Sequence, residues 1–94
     1  MDLPAGNGFY DEFSLVNGSG QLQNADSLPT ASLVKNGAVD GAVTVTVANV
    51  SNPGLYKVSC TLGAYVAGDI VYVRATGAVD GVTFWWKSES AAIK

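Results

Sequence analysis

The sequence has no histidine and a single cysteine, Cys60, in 94 residues. The missing histidine removes the commonest general base, the usual activator of a nucleophilic serine or thiol, and a leading zinc ligand. The lone cysteine excludes the internal disulfides with which small domains of oxidising compartments offset a limited core. Charge is scarce too: Asp, Glu, Lys and Arg make up 14% of the chain, against about 25% in an average soluble domain. The five basic residues, Lys35, Lys57, Arg74, Lys87 and Lys94, are scattered, and the net charge is −3. Without a basic stripe to neutralise phosphates, neither nucleic acid nor a membrane surface is expected as a partner. No apolar run approaches the roughly 20 residues of a membrane span. Met1-Asp2-Leu3-Pro4 carries no basic n-region and no apolar h-region, so synthesis and folding in a cytoplasm are expected.

What remains is plentiful in Val, Thr, Ser, Asn and Gly, and it reads as β-structure throughout. Phe9 to Val16 has the makings of a first strand, and Asn17-Gly18-Ser19-Gly20 of a turn. Pro4, Gly6 and Gly8 mark residues 1–20 as an N-terminal arm, leaving 21–94 as the domain proper. Thr30 to Lys35 is a strand that stops at Asn36-Gly37. Val43 to Val50 alternates Val and Thr, and Leu55 to Leu62 puts Tyr56, Val58, Cys60 and Leu62 on one face. Between them Asn52-Pro53-Gly54 fits a type II turn, with Pro second and Gly third. Closing this hairpin at Val50 and Leu55 sets Val47 against Val58 and Val45 against Cys60.

Ile70 to Thr76 and Val82 to Ser88 form a second pair. A loop of Ala78-Val79-Asp80-Gly81 would set Ala75 against Phe84 and Val73 against Trp86, all inward, with Tyr72, Arg74, Trp85 and Lys87 on the other face. Gly-Ala-Val-Asp-Gly occurs at 37–41 and again at 77–81, which reads as one turn used twice. Six to seven short strands with turns every 8–12 residues or so indicate an all-β sandwich, with a small barrel as the alternative.

Little here can do chemistry. Cys60 on an inward face is packing. Asp40 and Asp80 precede glycines in turns, and Asp69 follows Gly68, so these carboxylates have structural work. No segment has the alternating acidic spacing of a calcium loop. No catalytic residue, metal or cofactor is expected. The surface feature that stands out is aromatic: with Trp85 beside Trp86, one indole faces in and the other out. Ile70, Tyr72 and Arg74 would share the outer face with Trp85, and Arg74 could stack on it. With Phe9 and Tyr10 of the arm they form the candidate protein-contact residues.

The run Ala25-Asp26-Ser27-Leu28-Pro29, then Lys35-Asn36-Gly37, Val43-Thr44-Val45-Thr46-Val47, Gly54-Leu55-Tyr56-Lys57-Val58-Ser59, Ala67-Gly68-Asp69-Ile70-Val71 and Val79-Asp80-Gly81-Val82 resembles the immunoglobulin-like β-sandwich modules of phage structural proteins. The resemblance implies a small immunoglobulin-like sandwich in which Gly54 and Tyr56 form a structural corner, the tyrosine hydroxyl bonding backbone. Unlike antibody domains, the chain has no partner for Cys60. The resemblance further implies a virion structural protein, foremost a capsid decoration protein bound to the major capsid protein on the outer shell, associating with itself as a trimer and using residues 1–20 as an arm that orders on the shell. A tail, baseplate or head–tail connector component is the alternative within that class. A carbohydrate- or receptor-binding module, with Trp85, Tyr72 and Arg74 as a stacking platform, is the alternative outside it.

Overall fold

The computed structural model describes residues 2–3, 8–51, 53–63 and 65–94. Among the described residues there is no helix. The strands are β1 (Asp2–Leu3), β2 (Gly8–Ser14), β3 (Thr30–Lys35), β4 (Ala38–Val39), β5 (Thr46–Ser51), β6 (Leu55–Thr61), β7 (Ile70–Val79), β8 (Val82–Lys87) and β9 (Ala91–Ile93). The larger sheet runs β1-β9-β7-β3-β4, with β8 also on β7, and the smaller runs β2-β6-β5. Taken in chain order, the six longer strands divide so that the first, fourth and third make one sheet and the second, fifth and sixth the other. This is how an immunoglobulin-type Greek key divides strands B to G. The two sheets stay separate, so the fold is a sandwich and not a closed barrel.

Period-2 alternation decides which side of each strand is buried. In β6, Tyr56, Val58 and Cys60 are buried; in β7, Val71, Val73 and Ala75 are buried. With Leu33 of β3 and Ala91 and Ile93 of β9, they fill the space between the sheets. Leu33, Val58, Val71 and Val73 are wholly inaccessible, and burial of such side chains contributes about 1.5–3 kcal/mol each.

The β5–β6 hairpin keeps the expected register where Val47 faces Val58, but it closes through Ser51 and Leu55 across an irregularity between Asn49 and Ser51. Val50 therefore loses its expected partner. The ladder starts only at Thr46; Val43 and Val45 lie half-buried against the core ahead of it. Gly54 has φ of +83°, the left-handed value that the third position of a type II turn requires; Asn52 lies outside the described residues.

In the β7–β8 hairpin the register differs from expectation by two residues. Ala75 faces Trp86, Gly77 faces Phe84 and Val79 faces Val82. Asp80 (φ 51°) and Gly81 (φ 76°) form the turn by themselves, because two left-handed residues match the twist of the flanking strands and need no longer loop. An even slip leaves every side chain on its expected face, but it moves Arg74 away from Trp85. The pentapeptide echo is not one turn used twice: neither Asp40 nor Gly41 is left-handed, and the first reversal is made by Asn36 (φ 49°) and Gly37 (φ 87°). The Asp40 carboxylate accepts the N–H of Ala42 at 3.0 Å and the hydroxyl of Tyr65.

The first strand expected from Phe9 to Val16 is present as β2 and belongs to the sandwich. Residues 8–14 pair with β6 along the whole of β2, and Phe9, Phe13 and Leu15 belong to the central core. Phe13 stacks on Tyr56 at 5.6 Å and on Trp86 at 4.6 Å between centroids, so it joins the two sheets. A sandwich this small needs those apolar rings more than it needs an arm. Pro4 and Gly6, on which the arm was partly argued, lie outside the described residues.

Candidate functional site

Cross-strand partners share a face, so the pairings define the outer surface of the larger sheet. Val34 faces Tyr72, Ser32 faces Arg74, Arg74 faces Lys87 and Thr76 faces Trp85. Two strands, β7 and β8, thus bring Ile70, Tyr72, Arg74 and Trp85 to one face, as expected. Trp85 is 70% exposed and Ile70 44%. Val39 of β4, opposite Val34, extends the apolar strip and is itself exposed. The sequence reading missed it, although Asn36-Gly37 is a strong signal for a tight hairpin that would have returned Val39 to this sheet.

The other two candidates do not belong here. Phe9 is 2% exposed and is core. Tyr10 is exposed on the smaller sheet, where its hydroxyl donates to the Glu12 carboxylate, an interaction that raises its pKa. A one-residue step along β2 separates them, which alternation turns into opposite faces.

Arg74 does not stack on Trp85. It stands opposite Lys87, and like charges so placed repel. Lys87 turns away, its ammonium 4.3 Å from the centre of the Tyr72 ring and 3.1 Å from the Ser88 carbonyl it donates to. The outer face therefore carries two neighbouring cations beside an exposed indole.

Gly54 and Tyr56 lie at one end of the sandwich. The buried Tyr56 hydroxyl accepts the N–H of Ala25 at 2.9 Å, tying down the link that crosses from the smaller sheet to β3. Gly54 donates its N–H to Asn24 Oδ1 at 2.6 Å and accepts that of Leu15 at 2.9 Å. Nearby, the Asp26 carboxylate accepts the N–H groups of Asp80 and Gly81, each at 2.9 Å, and holds the β7–β8 turn.

At the opposite end, Asp40 is held below its ordinary value by the Tyr65 hydroxyl and then the Ala42 N–H. Asp69 is held below its own by Asn36 and then the Val66 N–H. Burial and Asp40 push the Tyr65 phenol up, and burial raises the Cys60 thiol. Folded pKa values below the unfolded ones mean that this stabilisation is present above the ordinary carboxylate range and is lost as pH falls through the folded values. Acid titration followed by circular dichroism is expected to show a midpoint that moves to higher pH when Asp40 and Asp69 are both replaced by Asn; an unmoved midpoint would show that the pair contributes nothing.

Among the described residues no group of three or more His, Cys, Asp or Glu could hold a metal. The outer face offers an indole, a phenol ring and two cations on adjacent strands. No family model, no curated protein and no solved structure matches this chain.

Proposed function

We propose that the chain is a non-enzymatic virion structural protein of a phage, a capsid decoration protein that docks on the outer shell and binds the major capsid protein through the outer face of its larger sheet. The observation that carries this reading is Trp85, 70% exposed on the outer face of the larger sheet, with Arg74 next along that face and Tyr72 and Ile70 farther along β7 on the same side. Trp, Tyr and Arg are the side chains most often found as anchors of protein interfaces. The resemblance to phage sandwich modules supplies the partner, and the Arg74–Lys87 pair favours an acidic patch on it.

Co-sedimentation of the purified protein with shells of the phage that encodes it tests the proposal. The native protein is expected to bind intact shells to saturation. Trp85→Ala should weaken binding about tenfold to a hundredfold, the effect of truncating an interface anchor, without altering the thermal midpoint. Protein found only on shell-free tails, or a Trp85→Ala protein that assembles normally but no longer binds host glycan, would replace this reading by the tail or the receptor-binding one.

A further inference from the structure

Sheet edges are where this fold leaves backbone groups unpaired, and proteins ordinarily guard them. The edge of β2 is guarded by Asp11, which shares the inward row with Phe9 and Phe13. The edge of β5 is broken by the irregularity at Asn49–Ser51, and β4 is two residues long. Strand β8 has none of these devices. It runs six residues without proline, bulge or inward charge. Ser88 donates its N–H to Val73 O at 2.9 Å, and the Phe84 carbonyl accepts the Thr76 hydroxyl at 2.9 Å. Even-numbered residues of β8 therefore direct their backbone groups to β7. Thr83, Trp85 and Lys87 direct theirs outward, where no described strand pairs with them.

We propose that this edge is where a second copy of the chain pairs, β8 against β8, antiparallel about a two-fold axis with Phe84 opposite Phe84 of the second copy. Charge complementarity selects this occupant. One end of β8 is acidic, with Asp80 in the turn and Asp26 bound to it; the other is basic, with Lys87 beside Arg74. An antiparallel two-fold sets each basic end against the other copy's acidic turn, with Lys87 opposite Gly81 and Ser88 opposite Asp80. No like charges stand directly opposite each other, Glu89 falling opposite Val79 beyond the acidic turn. The inward face of the seam is apolar, and the outer face carries an indole. Val82, 70% exposed, falls opposite Trp86, and Trp85 falls opposite Thr83. An open groove lined by Leu15, Val16, Val82 and Phe84 lies beside the same edge and is narrowed by the second copy. This is a two-fold pair, where the resemblance implies a trimer.

Sedimentation velocity over a concentration series, without shells, tests this separately from the decoration reading. The native protein, 9.7 kDa per chain, is expected to approach the mass of two chains, less readily at high salt. Thr83→Pro removes an outward N–H but no bond to β7, and should stay at one chain with its thermal midpoint kept. Lys87→Glu sets acid against the acidic turn and should raise the dissociation constant about tenfold or more; because it also gives up the Tyr72 and Ser88 contacts, its thermal midpoint is measured alongside. One chain at every concentration, three chains, or a dimer that survives both substitutions would overturn the proposal.

Discussion

Gly54→Ala is expected to lower stability by about 3–5 kcal/mol, a large part of the roughly 5–14 kcal/mol that a chain of this length possesses. The residue's φ of +83° alone disfavours any side chain, by about 1–2 kcal/mol. Space adds to this. A Cβ at Gly54 would lie 2.8 Å from the Leu15 carbonyl oxygen, 2.9 Å from the Gln23 nitrogen and 3.1 Å from the Gln23 oxygen. All three are backbone atoms, and none can swing aside as a side chain would. Making room means pulling apart the segments that the Gln23 N–H to Leu15 carbonyl bond (3.0 Å) and the Leu15 N–H to Gly54 carbonyl bond (2.9 Å) hold together, at about 1 kcal/mol net for each bond lost. Gly18 provides the control, since a Cβ there meets nothing within 4 Å. Urea unfolding should show Gly18→Ala near the native midpoint and Gly54→Ala far below it. Coincident midpoints for the two variants would mean that the strand link at Leu15 and Gln23 is not the tight crossing described.

Phe13→Ala should be comparably damaging, by about 3–5 kcal/mol. Phe13 is a residue of the smaller sheet whose ring lies between Tyr56 of its own sheet, at 5.6 Å and 17°, and Trp86 of the larger sheet, at 4.6 Å and 26°. Phe84 touches it as well, at 6.3 Å. Truncation loses the buried area, leaves a cavity between the sheets, and breaks aromatic pairs worth about 0.5–1.5 kcal/mol each. It also wets Trp86. Intrinsic fluorescence should therefore shift to the red in the folded variant while urea unfolding shows the lost stability. A variant with unchanged emission and midpoint would place the mechanical link between the sheets elsewhere. The same result bears on the N-terminal segment, since a residue of a detachable arm could not have this effect.

Most of what positions the candidate site was legible locally. Alternation in Ile70–Thr76 and Val82–Ser88 assigned Tyr72, Arg74 and Trp85 to the outer face, and parity protected that assignment from a register error of two. Asn36-Gly37 ended β3 where expected. Phe9 was misjudged for a physical reason: Gly6, Gly8 and Pro4 around it suggest an irregular chain, and only the approach of β6 shows that its face is covered. Arg74 was set against Trp85 because a four-residue loop is as good a local reading of Ala78-Val79-Asp80-Gly81 as a two-residue turn.

By itself the sequence determined the all-β class of the fold, the lack of histidine and of a second cysteine, the strand faces and most turn positions. These follow from composition and from a side-chain period of two, which neighbouring residues settle among themselves. The tertiary structure alone decided the closing of the β7–β8 turn by Asp26, the crossing at Gly54, the membership of Phe9 and Phe13 in the core, and the place of β8 beyond β7 with no described strand paired to its other side. Each depends on groups far apart in the chain, as Asp26 is from Gly81. Hydrogen bonds and packing of that kind exist only once the two sheets have met.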